Sequence, residues 1–115
     1  METAVPDAGD RALALFGDLA TGHWAAVCEK FGAEMAAKLD AARLSAAWAQ
    51  VIGMAGRYER HGRPAVYPAG DVTIADVPLF FEAGERVGRV SYDRDGRVAG
   101  LFFLPPAMAG DLPGR

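Results

Sequence analysis

Cysteine is almost absent from this chain: Cys28 stands alone among 115 residues. A single thiol excludes an internal disulfide and any cysteine-based zinc site. Histidine is scarce too. His23 and His61 have no acidic or thiol partner at ligand spacing, so neither a metal nor another cofactor is expected. An excess of basic charge is missing. Twelve Lys and Arg stand against fifteen Asp and Glu, a formal net charge of −3. That balance carries no electrostatic footprint for nucleic acid or an anionic membrane. Apolar runs long enough to span a bilayer are missing as well. The opening residues, Met1 to Asp7, are acidic and lack the basic-then-apolar order of an export signal, so the expected compartment is the cytoplasm. There are no internal repeats, low-complexity tracts or linkers.

What is present suits one domain with one core. Hydrophobic residues make up 51% of the chain, but many are alanine and bury little area. The core must rest on two Trp, six Phe, three Tyr and the aliphatic residues.

Residues 1–9 read as a flexible arm, residues 10–106 as the domain, and residues 107–115 as a flexible tail. Asp10 is placed to cap a first helix carrying Leu13, Phe16 and Leu19. Trp24, Val27, Cys28 and Phe31 form the apolar stripe of a second. Met35 and Leu39 mark a further short helical turn. Asp40 caps a third full helix, with Leu44, Trp48, Val51 and Ala55 on one face. Gly53 inside it is costly, which suggests close packing there.

From Gly56 onward the period changes. Arg57–His61 and Ala65–Tyr67 read as strand pieces, and Val72–Glu82 as a longer strand whose alternation slips near Pro78. Proline cannot donate to a ladder, so a bulge or an edge position is expected there. The last stretch, Val87–Pro106, is a hairpin turning at Asp93-Arg94-Asp95-Gly96. Two registers fit it. A two-residue turn pairs Tyr92 with Ala99. A type I turn with left-handed Gly96 pairs Tyr92 with Val98, and this is preferred. Strict alternation then groups Val90, Tyr92, Val98, Gly100 and Phe102 toward the helices. It leaves Arg89, Ser91, Ala99, Leu101 and Phe103 on the other face. Leu101 and Phe103 are too apolar for open water and suggest a homodimer surface.

Helices first and a meandering sheet second predict an α+β fold: three helices on a curved antiparallel sheet of about four strands. The order of the segments Phe16 to Gly22, Trp24 to Phe31, Met35 to Leu39, Leu44 to Gly56 and Val90-Ser91-Tyr92-Asp93 to Leu101 resembles an uncharacterised bacterial domain family. That family often occurs beside α/β-hydrolase domains and belongs to the nuclear transport factor 2-like superfamily of cone-shaped α+β domains. The resemblance covers roughly residues 10–106. It departs at Gly32, where the family favours an acidic residue after the helix-2 Phe. The hydrolase neighbour is also missing from the chain. The resemblance implies a cone enclosing a cavity and implies no reaction, because the superfamily includes isomerases, polyketide cyclases, dehydratases and pure dimerisation modules.

Chemistry-bearing residues are few. An isomerase or cyclase needs a base in an apolar pocket and a donor to the developing oxyanion. Asp76, mid-strand between Ile74 and Leu79, is the candidate base, with Tyr58 and Tyr92 as candidate donors. The preferred alternative has Asp76 outward or capping the expected bulge. Arg57, Arg60 and Arg63 read as a solvated strand edge, and Cys28 as a buried structural thiol. The expected pocket is lined by Trp48, Tyr58, Val90, Tyr92 and Phe102. The leading expectation is a small-molecule-binding or dimerisation module with an apolar cavity. The alternatives are a cofactor-free isomerase, polyketide cyclase or dehydratase acting on an apolar ring compound, and an accessory domain for a separate hydrolase.

Overall fold

The structure is a computed structural model that describes residues 7–105. The arm expected over residues 1–9 lies largely outside them, as does the tail expected over 107–115. Four helices come first: α1 (Ala8–Ala20), α2 (Trp24–Cys28), α3 (Ala33–Lys38) and α4 (Ala41–Ala55). Five strands follow: β1 (Tyr58–His61), β2 (Ala65–Ala69), β3 (Val72–Phe81), β4 (Gly84–Tyr92) and β5 (Val98–Leu104). All pair antiparallel in one curved sheet. The α+β expectation holds. The extra helix is the short turn around Met35, and the extra strand arises because the two early strand pieces stay separate.

α1 begins at Ala8, earlier than a cap at Asp10 would allow, because Ala8 and Ala12 belong to the buried face. Asp10 instead sits in the first turn, where a negative charge favours the helix dipole. α2 is shorter than its stripe, yet all four stripe residues pack into the core. Phe31, beyond the helix end, bridges to Val98 of β5. Asp40 caps α4 as expected, its side chain accepting from the Arg43 backbone N–H at 2.9 Å. α4 ends at Gly56, whose φ is 87° and whose added Cβ would meet Glu82 at 2.8 Å. Gly53 does not mark close packing: no atom lies within 4 Å of an added Cβ.

β3 is the spine of the sheet. β4 pairs along its whole length, from Thr73↔Tyr92 to Phe81↔Gly84, with no bulge. β1 and β2 share its other edge, one opposite Leu79 to Phe81 and the other opposite Val72 to Asp76. Pro78 falls in the gap between them. Its carbonyl accepts from Gly62 N–H at 2.8 Å, so its missing N–H also faces that gap. The proline is therefore tolerated as a local edge, one of the two expected arrangements.

The final hairpin adopts the Tyr92↔Val98 pairing, with Gly96 at φ 80°. One residue further the register slips: Ser91 pairs with Gly100, and Ala99 is left as a bulge. The bulge inverts the expected phase of β5. Val90 now faces Leu101, and Gly88 faces Phe103, on the side that meets the helices. Phe103 packs edge-on against Phe16 at 6.1 Å and beside Trp48 at 5.7 Å. Phe102 goes to the other face and is 50% exposed. Leu101 and Phe103 thus supply core rather than an outer apolar surface, and Phe102 does not lie on the sheet face that α1 covers.

α1 lies over the inner sheet face at Gly88, where an added Cβ would come within 2.7 Å of the Phe16 ring. The core runs from Ala12, Phe16 and Leu19 through Leu44 and Trp48 to Val77, Leu79, Phe81 and Val90. Among the described residues no helix is long and apolar enough to cross a membrane.

Candidate functional site

Four residues of α1, Arg11, Ala14, Leu15 and Asp18, stand at i, i+3, i+4 and i+7 and so share one side of the helix. They form one wall of a cavity of about 430 Å³. The second wall is Val27 and Lys30, around the end of α2. The third is the β4–β5 hairpin, through Tyr92 and Asp95 to Val98. The walls are pinned together. Val98 N–H donates to Lys30 O at 2.8 Å, and Gly32 N–H donates to Val98 O at 2.9 Å.

Position 32 itself is tight. An added Cβ would lie 3.3 Å from the Asp93 carboxylate. The acidic residue expected there from the resemblance would bring like charges together, and glycine avoids this. Asp93 is already committed to the turn, accepting from the Asp95 and Arg97 backbone N–H groups at 2.9 and 3.0 Å.

The floor of the cavity is apolar: Leu15, Val27 and Val98 are buried, and the Tyr92 ring with them. Burial pushes the Tyr92 phenol up to about 12, against a smaller opposing pull from Arg11. The hydroxyl therefore stays protonated at neutral pH. Among the described residues it has no hydrogen-bond partner within the protein, although the residue is only 3% exposed.

The rim is charged. Arg11, Lys30 and Arg97 are exposed cations, set against Asp18 and Asp95. Arg11 donates to Gly96 O at 3.1 Å, and Arg97 reaches Glu29 O at 3.5 Å. Among the described residues none of these three cations has a carboxylate within ion-pair distance. Asp18 leans instead toward His23, at 3.9 Å.

The other expected site residues lie elsewhere. Trp48 and Tyr58 are at the far end of the core, in a ring cluster with Phe81 and Phe103 at 5.5 to 5.8 Å. They fill space there. Val90 is fully buried core. Phe102 lines a smaller cavity of about 230 Å³ between α3 and β5, with Met35 and Lys38. Of the expected lining only Tyr92 reaches the larger cavity.

Asp76 is on the outer sheet face. Its register partner there is Arg89, while Tyr92 pairs with Thr73 on the inner face. Arg89 grips both carboxylate oxygens at 2.8 and 3.0 Å, and the Tyr67 hydroxyl donates to one at 3.0 Å. Asp76 therefore points outward, as the preferred alternative has it, but it caps no bulge. The sheet separates it from both Tyr58 and Tyr92, so these three do not form a base–donor set. Cys28 is half-buried, and its thiol is pushed up by burial and then by Asp40, which suits a structural thiol. Among the described residues no cluster of three or more potential metal ligands exists.

Arg11, Lys30, Arg97 and Leu15 are not singled out by the sequence, and Val27 reads there only as part of the second helix's apolar stripe. Arg11 and Asp18 flank the α1 stripe and look like ordinary solvated charges. Only the fold brings the hairpin turn against them.

No curated protein and no solved structure matches the chain. Residues 12–101 match a family model described as a protein of unknown function, DUF3887, which spans α1 through most of β5. With most of its length under that match, the chain belongs to the DUF3887 family.

Proposed function

We propose that this domain is a small-molecule-binding module of the nuclear transport factor 2-like superfamily, and that its site is the cavity between α1, the end of α2 and the β4–β5 hairpin. Helices that precede a curved antiparallel sheet and pack on its inner face support the superfamily. The observation that carries the binding reading is the Tyr92 hydroxyl, an unpartnered donor on a buried ring at a cavity of about 430 Å³. That volume lies in the range of small-molecule sites, and a few polar groups over an apolar floor are their usual lining. No buried side-chain N or O atom lacks a partner among the described residues, so the Tyr92 hydroxyl opens onto the cavity, where a ligand acceptor can reach it.

The test is a nuclear magnetic resonance screen of a fragment library against the full chain. Binders are expected to shift the signals of Leu15, Val27, Tyr92 and Val98. A library that moves none of them, or that gathers at another surface, overturns the reading.

A second reading, self-association, is favoured by the outer sheet face. Phe102 is half exposed there, opposite Arg89 and two residues from Leu104. Phe80 lies under the Arg60 guanidinium at 4.1 Å on the same face. A homodimer formed through this face predicts a dimer mass by light scattering that Phe102→Glu reduces to the monomer. A wild-type monomer at micromolar concentration overturns it.

A further inference from the structure

Resting on the binding reading above, we infer that the ligand is an amphipathic anion: a carboxylate or similar oxyanion on an apolar body, its head among Arg11, Lys30 and Arg97 and its body over Leu15, Val27 and Val98. Two independent features lead there.

The first is charge. The chain carries three more acidic than basic side chains, yet three cations gather at this one rim. Among the described residues none of them forms an ion pair, whereas Arg89 and Arg94 elsewhere each hold a carboxylate. Arg11 and Arg97 are instead steadied by backbone carbonyls, which position a guanidinium without neutralising it. Each retains N–H groups for an oxyanion, and a guanidinium fork fits two oxygens at once. Asp18 and Asp95 on the same rim still leave a net positive balance, three cations to two carboxylates.

The second feature is the donor below. The Tyr92 hydroxyl keeps its proton at neutral pH, because its ionisation is pushed up to about 12, so it can donate to an oxyanion or ether oxygen. The rim cations, rather than the hydroxyl, oppose an ammonium group. The apolar residues beside it exclude a bare inorganic anion as the best fit, since much of the cavity would then hold only water against Leu15, Val27 and Val98.

The experiment compares octanoate, octanol, octylamine and inorganic phosphate as probes of the full chain, by chemical-shift titration at low and high salt. Octanoate is expected to bind best, shifting Tyr92 and Val98, and to weaken as salt rises. Arg11→Gln and Arg97→Gln should each weaken octanoate by about tenfold while leaving octanol unchanged. Circular dichroism of both variants confirms the fold. If octanol or octylamine binds at this cavity as well as octanoate, the anion inference falls and the binding reading stands. If phosphate binds as well as octanoate, the apolar part of the inference falls. If no probe binds there, both fall together.

Discussion

Asp76 and Arg89 face each other across β3 and β4, joined by two hydrogen bonds of 2.8 and 3.0 Å on the sheet face away from α1. The two partners are unequally buried: the Asp76 side chain is 3% exposed and that of Arg89 is 23% exposed. The same bonds hold Arg89 more firmly protonated. This inequality predicts unequal mutants. Arg89→Met strands a buried carboxylate with only the Tyr67 hydroxyl, and should cost about 3–5 kcal/mol. Asp76→Asn removes the charge itself and leaves an arginine that can swing to solvent, so it should cost less. Urea denaturation of both variants at neutral pH checks the order. Equal losses would show that the pair acts only as surface charge.

The bulge at Ala99 makes a prediction opposite to strict alternation. Phe103→Ala should cost about 3–5 kcal/mol, because it empties the contacts with Phe16 and Trp48. Trp48→Ala should cost a similar amount, through the same ring cluster. Phe102→Ala should change folding stability by no more than about 1 kcal/mol, since that ring is half exposed. Thermal melts of the three variants decide. Were Phe102 the costly one, β5 would run in the unbulged register.

The sequence carries the architecture through spacing: the α4 stripe with its Asp40 cap, and the Tyr92↔Val98 pairing through a left-handed Gly96. It could not carry the phase of β5. Val98, Leu101, Phe102, Phe103 and Leu104 offer apolar residues to both faces, and alternation has nothing to choose between. The choice is made by packing. Phe103 finds Phe16 and Trp48, while Gly100 leaves room beside Ser91 and Phe102 that a Cβ would occupy. The cavity was illegible for a related reason. Arg11 and Arg97 are 86 positions apart in the chain, as their numbers show, and neither has an unusual neighbourhood in sequence.

Two glycines should respond in opposite directions to the same substitution. Gly88→Ala places a Cβ against Phe16 and 2.9 Å from Leu79, between a helix and a sheet that cannot both yield. Overpacking of this kind costs about 1–3 kcal/mol or more. Gly53→Ala meets no atom within 4 Å in the last turn of α4, and should stabilise by up to about 1 kcal/mol through helix propensity. Denaturation midpoints of the two variants test the packing of α1 on β4 and the open flank of α4 together. A Gly88→Ala variant as stable as the wild type would place α1 further from the sheet.

All three tyrosines are pushed above the ordinary phenol value of 10.0, each chiefly by burial, and Tyr92 furthest, to about 12. Tyr67 is raised further by its bond to Asp76. A raised phenol means that the folded chain holds its protons more tightly than the unfolded one. Between pH 10 and about 12 the unfolded state has already released the Tyr92 proton and the folded state has not. Stability from this group is therefore complete below pH 10 and declines as pH rises toward 12. Tyrosinate absorbance should read the same shift directly. At pH 10 the native chain should show less tyrosinate signal than the same chain in denaturant, with the Tyr92 share almost wholly missing. Tyr92→Phe should remove the last-titrating component and leave the others in place. It also deletes a hydroxyl that bonds no other described residue and opens onto the cavity, so it should leave stability at neutral pH little changed in the absence of ligand. A Tyr92→Phe curve still carrying a phenol near 12 would mean that the most protected hydroxyl belongs to Tyr58 or Tyr67, and the cavity would lose the donor on which its chemistry depends.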